Sequence, residues 1–130
     1  LEEYIKNIED DRIKYFGVVT NDEIVKKEYK ASILVNPRFT NEEYTKYSFP
    51  SKNIEYMTSG TPILTTKLPG MPKDYYEHVY FIEEETVDGI KNALENILNL
   101  SSQELAQKGE NARKFMLINK KTIIISLTYF

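Results

Sequence analysis

The sequence predicts an α/β domain: a partial parallel sheet of about four strands, flanked by helices. Three observations predict it. Short apolar runs alternate with helix-like stretches along the chain. The helix-like stretches open on hydroxyl side chains placed as caps. Three of the apolar runs end at glycine, proline or a charge cluster, and the fourth follows soon after Gly60.

The helices follow from their starts. Thr20–Glu23, Thr40–Glu43 and Ser101–Glu104 each place a hydroxyl three residues before a glutamate, the capping-box spacing. They predict helices near 21–30, 41–46 and 102–118. A helix near 87–99 follows Thr86, with Val87, Ile90, Ala93, Leu94, Ile97 and Leu98 on a 3.6-residue period. A fifth, near 52–59, stops at Gly60, a C-terminal cap. Residues 12–16 (RIKYF), 32–36 (SILVN), 62–66 (PILTT) and 79–82 (VYFI) then read as strands. Helices between strands imply parallel pairing with right-handed crossovers.

Composition narrows the function. A chain of 130 residues with 41% hydrophobic and 28% charged residues can bury one modest core, which makes residues 1–130 a single domain. The net charge of −3 is spread without a basic tract, which argues against nucleic acid as a partner. The absence of cysteine removes disulfides, thiolate metal sites and a cysteine nucleophile, and fits the cytoplasm. No apolar run reaches the ~18 residues of a membrane span. Leu1 lies within a helix-like pattern, predicting a chain that begins mid-domain. Residues 122–130 (TIIISLTYF) read as a buried strand or helix end, or as the product of a truncated frame.

In open α/β sheets ligands bind beyond the carboxyl ends of the strands. The chemistry gathers after SILVN. A helix beginning near Ser51 would present unpaired N–H groups and a positive dipole end to a phosphate. Ser51 could cap that end or donate its hydroxyl. Lys52 adds a charge unfavourable to the helix dipole, which hints at an anion. Glu55, one turn on from Ser51, could accept two hydroxyls such as those of a ribose. Plainer readings stand beside these: Ser51 as a simple cap, Lys52 on a solvated face, and Glu55 as an ordinary first-turn acid. Glu43 has a structural task in the Thr40 capping box. Arg38 reads as a loop arginine and His78, the single histidine, as structural. Glu83–Glu85 read as a solvated strand exit with no metal.

The string 49–64, FPSKNIEYMTSGTPIL, resembles the C-terminal, Rossmann-like nucleotide-binding domain of retaining GT-B glycosyltransferases, nearest to those of capsular and exopolysaccharide synthesis. The resemblance covers about residues 10–118. It implies transfer of a hexose from a nucleoside diphosphate sugar to a glycan or lipid-linked acceptor, with no cofactor and no obligatory metal. It implies that Glu55 binds the ribose hydroxyls, that Ser51 and Lys52 lie near the diphosphate, and that Gly17 and Val18 lie near the base. The family often carries a second glutamate eight residues before the first; here that position is Tyr47, and Glu43 is the nearest substitute for a catalytic acid. The family's basic diphosphate clamp, its first two strands and its N-terminal acceptor domain have no counterpart in this sequence. A missing N-terminal domain or a second chain is therefore an expected partner, with the intact enzyme cytoplasmic or peripheral at the inner membrane face. Two alternatives stay open: a non-catalytic nucleotide-sugar-binding module, and an inactive remnant.

Overall fold

The computed structural model describes residues 10–38 and 51–129, with side chains described to 119 except at Ser51. Helix α1 (Asn21–Lys30) leads to strand β1 (Leu34–Asn36). Helix α2 (Ser51–Ser59) leads to β2 (Ile63–Thr65). A 3-10 helix (Lys73–His78) leads to β3 (Tyr80–Phe81), and helices α3 (Val87–Leu98) and α4 (Ser102–Tyr129) follow. No described helix is long and apolar enough to cross a membrane.

The helix starts are set locally. The Thr20 hydroxyl accepts from Glu23 N at 3.3 Å, Thr86 from Gly89 N at 3.0 Å and Ser101 from Glu104 N at 3.1 Å. Each bond satisfies one of the amides that a helix start leaves without an intrahelical partner. Gly60 closes α2 at φ +82°, a left-handed conformation that costs a side-chain-bearing residue more.

The three strands are parallel in the order β1-β2-β3, with Leu34 opposite Ile63 and Leu64 opposite Tyr80. Central β2 is buried on both faces, as parallel strands covered by helices are. Its alternation divides the core. Ile63 packs with Met57, Leu68, Met71, Tyr75, Val79, Ala112 and Met116, joining α2 and α4. Leu64 packs with Ile82 and Ile97, flanked by Ile90, Ala93 and Leu94 of α3. Phe115 meets the Tyr75 ring edge-on at 5.1 Å, and His78 stacks on it at 4.4 Å, which gives the single histidine a packing role.

The predicted α/β architecture is therefore present, with three strands instead of about four. Residues 12–16 form no strand and are exposed. Ile13, Tyr15 and Phe16 favour extension, but a strand needs a neighbour's ladder, and no described strand supplies one. Helix α4 runs past the expected end at 118 and takes in 122–129, since neither glycine nor proline follows Gly109 to break it. The 3-10 helix was not legible. The expected helix at 41–46, with Thr40 and Glu43, lies outside the described residues.

Close packing of α4 depends on Gly109. A Cβ there would fall 2.8 Å from the carbonyl carbon of Gly60 and 3.1 Å from Pro62 N, with the Gly60 oxygen nearer still. The turn between α2 and β2 thus lies directly against the backbone of α4.

Candidate functional site

The start of α2 is fixed over the carboxyl ends of β1 and β2 by buried polar side chains. Asn53, in the first turn, is fully buried. Its Oδ1 accepts from Asn36 Nδ2 at 2.9 Å, and its Nδ2 donates to Thr65 Oγ1 at 3.2 Å. Thr65 Oγ1 in turn donates to the Asn36 carbonyl at 3.1 Å. The next hydroxyl, Thr66, donates to the Arg38 carbonyl, holding the chain beyond β1. Asn36 and Thr65 are the last residues of their strands and lie opposite one another. The helix start is thereby brought to the sheet edge where α/β proteins bind ligands. Asn53 was not singled out in the sequence; a polar side chain within an apolar helix pattern was the available signal.

One turn of α2 carries Lys52 and Glu55 at the surface. Lys52 Nζ lies 3.7 Å from Glu55 Oε2, and the two side chains are 54% and 42% exposed. An exposed pair of this kind contributes at most about 1 kcal/mol. An anionic ligand can therefore compete for Lys52. Ser51 opens the helix beside them. Gly17 and Val18 occupy a different place: Gly17 turns at φ +66°, Val18 is fully exposed, and the adjacent cavity is lined by Phe16, Val19, Glu23, Lys26, Lys27 and Lys30, none of them on α2.

A carboxylate from another helix reaches Glu55. Glu28, near the end of α1, is 5% exposed, and its Oε1 has no hydrogen-bond partner. The Thr61 hydroxyl holds its backbone carbonyl at 2.6 Å, tying this turn of α1 to the entry of β2. A cavity of about 200 Å³ between α1 and α2 is lined by Val25, Glu28, Tyr29, Glu55, Thr58 and Ser59. Thr58 and Ser59 already donate their hydroxyls to Ile54 and Tyr56 carbonyls. Burial pushes the Glu28 carboxyl up to about 7; the neighbouring Glu55 carboxyl acts the same way, and Lys52 opposes them. With a second carboxyl beside it, Glu28 keeps its proton up to about pH 7. Nothing in the charged segment NDEIVKKEYK distinguished Glu28 in advance. A larger groove of about 440 Å³ runs along β3 and α3, remote from these groups.

The raised carboxyl links stability to pH. In the unfolded chain Glu28 ionises near 4.5, and in the fold near 7, so folding takes up a proton between these values. The stabilisation is complete below 4.5 and is lost as pH rises through 7. On this group alone, urea denaturation should give about 1 kcal/mol less stability at pH 8 than at pH 6. The Glu28→Gln variant should lose that slope.

Among the described residues, no group of three or more potential acidic or histidine ligands could hold a metal ion. Residues 1–100 match the model of a protein family described as glycosyl transferases group 1. No curated protein and no solved structure matches the chain.

Proposed function

The chain belongs to the group 1 glycosyl transferases, and from that premise we propose that it is the donor-binding part of a GT-B enzyme, taking a nucleoside diphosphate hexose as substrate. The observation that carries the reading is the pairing of Lys52 with Glu55 in a helix turn anchored by Asn53 over the ends of β1 and β2. The α2 start and Lys52 offer positive potential to a diphosphate. Glu55 offers two acceptor oxygens to the ribose hydroxyls, and Ser51 lies next to the diphosphate. In the transfer step the sugar–phosphate bond breaks, the acceptor oxygen bonds the anomeric carbon, and the acceptor's hydroxyl proton passes to the departing diphosphate. The departing diphosphate gains charge, and the helix start with Lys52 stabilises it where it develops.

The finer reading rests on the string FPSKNIEYMTSGTPIL: retained anomeric configuration, and a glycan or lipid-linked acceptor in polysaccharide synthesis. Acceptor recognition falls to a further domain or second chain. Gly17 and Val18 as base contacts, and Glu43 as the catalytic acid, belong to the same proposal.

Calorimetry with UDP and GDP in parallel tests the donor site. Replacing Glu55 with alanine should lower affinity for the nucleotide that binds roughly tenfold to a hundredfold, the effect of losing hydrogen bonds to a charged acceptor. Unchanged affinity in Glu55→Ala would remove the ribose assignment.

A further inference from the structure

We infer that Glu28 and Glu55 together form a two-carboxyl clamp for a vicinal diol, with Glu28 a ligand-binding residue in its own right. The inference rests on the donor-site reading above and adds to it a residue from α1.

The cavity offers no free hydroxyl donor from α2. Its two hydroxyl-bearing α2 residues, Thr58 and Ser59, have already donated their protons to backbone carbonyls. The charged or acidic groups facing Glu28 are Glu55 and Lys52 on α2, with Tyr56 close enough for its own phenol to be affected by both carboxyls. On its own helix Tyr29 lines the same cavity. From α4 comes Arg113, which lies within electrostatic reach of Tyr29 and is bound bidentately by Glu110 at 2.7 and 3.0 Å. No cation is therefore directed at Glu28 alone. Its Oε1 is buried without a partner, a costly arrangement unless something donates to it.

One proton resolves half of that demand. With Glu28 protonated, its O–H donates to Glu55, and the negative charge is spread over two helices. Glu28 Oε1 then remains an acceptor, as does the second Glu55 oxygen. Two acceptors on neighbouring walls of one small cavity call for two donors on adjacent atoms. Two neighbouring sugar hydroxyls supply them, and the ribose of a nucleotide carries such a pair. Once Glu28 loses its proton, two carboxylates repel across the cavity and the paired geometry fails.

The test measures affinity for UDP and GDP, and for their 2′-deoxy counterparts, from pH 6 to pH 8.5 in the wild-type chain and in Glu28→Gln and Glu28→Leu. Glutamine keeps a carbonyl acceptor and an N–H donor, so it imitates the protonated acid. The wild type should lose roughly tenfold in affinity across this range relative to Glu28→Gln, which cancels any contribution from phosphate ionisation. Glu28→Leu should bind roughly tenfold more weakly than Glu28→Gln at every pH. The 2′-deoxy ligands should erase the difference between wild type and Glu28→Leu. Circular dichroism establishes that each variant is folded. Carbon-13 carboxyl NMR of the ligand-free chain supplies an independent measure: Glu28 should titrate near neutrality and return towards the ordinary carboxylate range in Glu55→Gln.

The outcomes separate the two readings. Failure of both ribonucleotides to bind at millimolar concentration overturns the donor-site reading and the clamp with it. Binding that depends on Glu55 but follows the same pH profile in wild type and Glu28→Gln overturns the clamp alone. A Glu28 carboxyl that titrates in the ordinary range also overturns the clamp.

Discussion

Replacing Asn53 with alanine should destabilise the fold by about 3 kcal/mol. The side chain is fully buried and lies at the centre of a closed set of bonds: Asn36 Nδ2 to Asn53 Oδ1, Asn53 Nδ2 to Thr65 Oγ1, and Thr65 Oγ1 to the Asn36 carbonyl. Truncation strands the Asn36 amide without its acceptor, at a cost of about 1–3 kcal/mol, and leaves a void beside it. Removing both amides relieves part of this, since no donor is then left unpaired. The double variant Asn36→Ala/Asn53→Ala should consequently be less destabilised than the sum of the two singles. Urea denaturation of the four proteins measures the coupling. Strict additivity, or a shift below 1 kcal/mol for Asn53→Ala, would refute the network's structural role. Because the same side chain sets the start of α2, the variant should also weaken the proposed nucleotide binding while still folded.

Gly109→Ala should lower stability by about 2 kcal/mol, or roughly 8 °C in thermal midpoint. The sign is the informative part. In a helix interior alanine is ordinarily better than glycine by about 1 kcal/mol, so propensity alone predicts stabilisation. Opposing it, the new methyl would meet the backbone of Gly60 and Pro62, not the far end of a flexible side chain. Neither rotamer change nor local side-chain movement relieves that overlap. Helix α4 would have to lift away from the turn after α2, loosening Met57, Ala112 and Met116. A Gly109→Ala protein as stable as its parent in a thermal melt would show that the close approach does not exist.

What was legible in the sequence was what depends on near neighbours. Thr20, Thr86 and Ser101 announce helix starts because a cap and its amide are three residues apart, and Gly60 announces a stop because its own φ decides it. The central strand was legible through its apolar run between punctuating residues. Residues 12–16 misled because strand formation is decided by a distant partner, and their local composition carries no information about one. The same limit hid the site's supporting residues. Asn53 is ordinary until Asn36 and Thr65 are folded onto it, and Glu28 resembles the charged residues around it until α2 covers it. Glu55 could be singled out because its helix carries a family-like string; its carboxyl partner, 27 positions earlier in the chain, could not.

The register of the sheet has a consequence for the order in which the molecule is assembled. Each strand pairs only with one reached after an intervening crossover: Leu34 meets Ile63, and Leu64 meets Tyr80. Among the described strands no hairpin is available to form early, so each of their ladder bonds waits for a loop to close. Nine residues of α2 are too few to persist as a helix in water without tertiary support. The helix therefore cannot wait for the sheet, nor the sheet for the helix. They condense together, and Asn53, bonded to the ends of both strands from the first turn of α2, lies where that condensation closes.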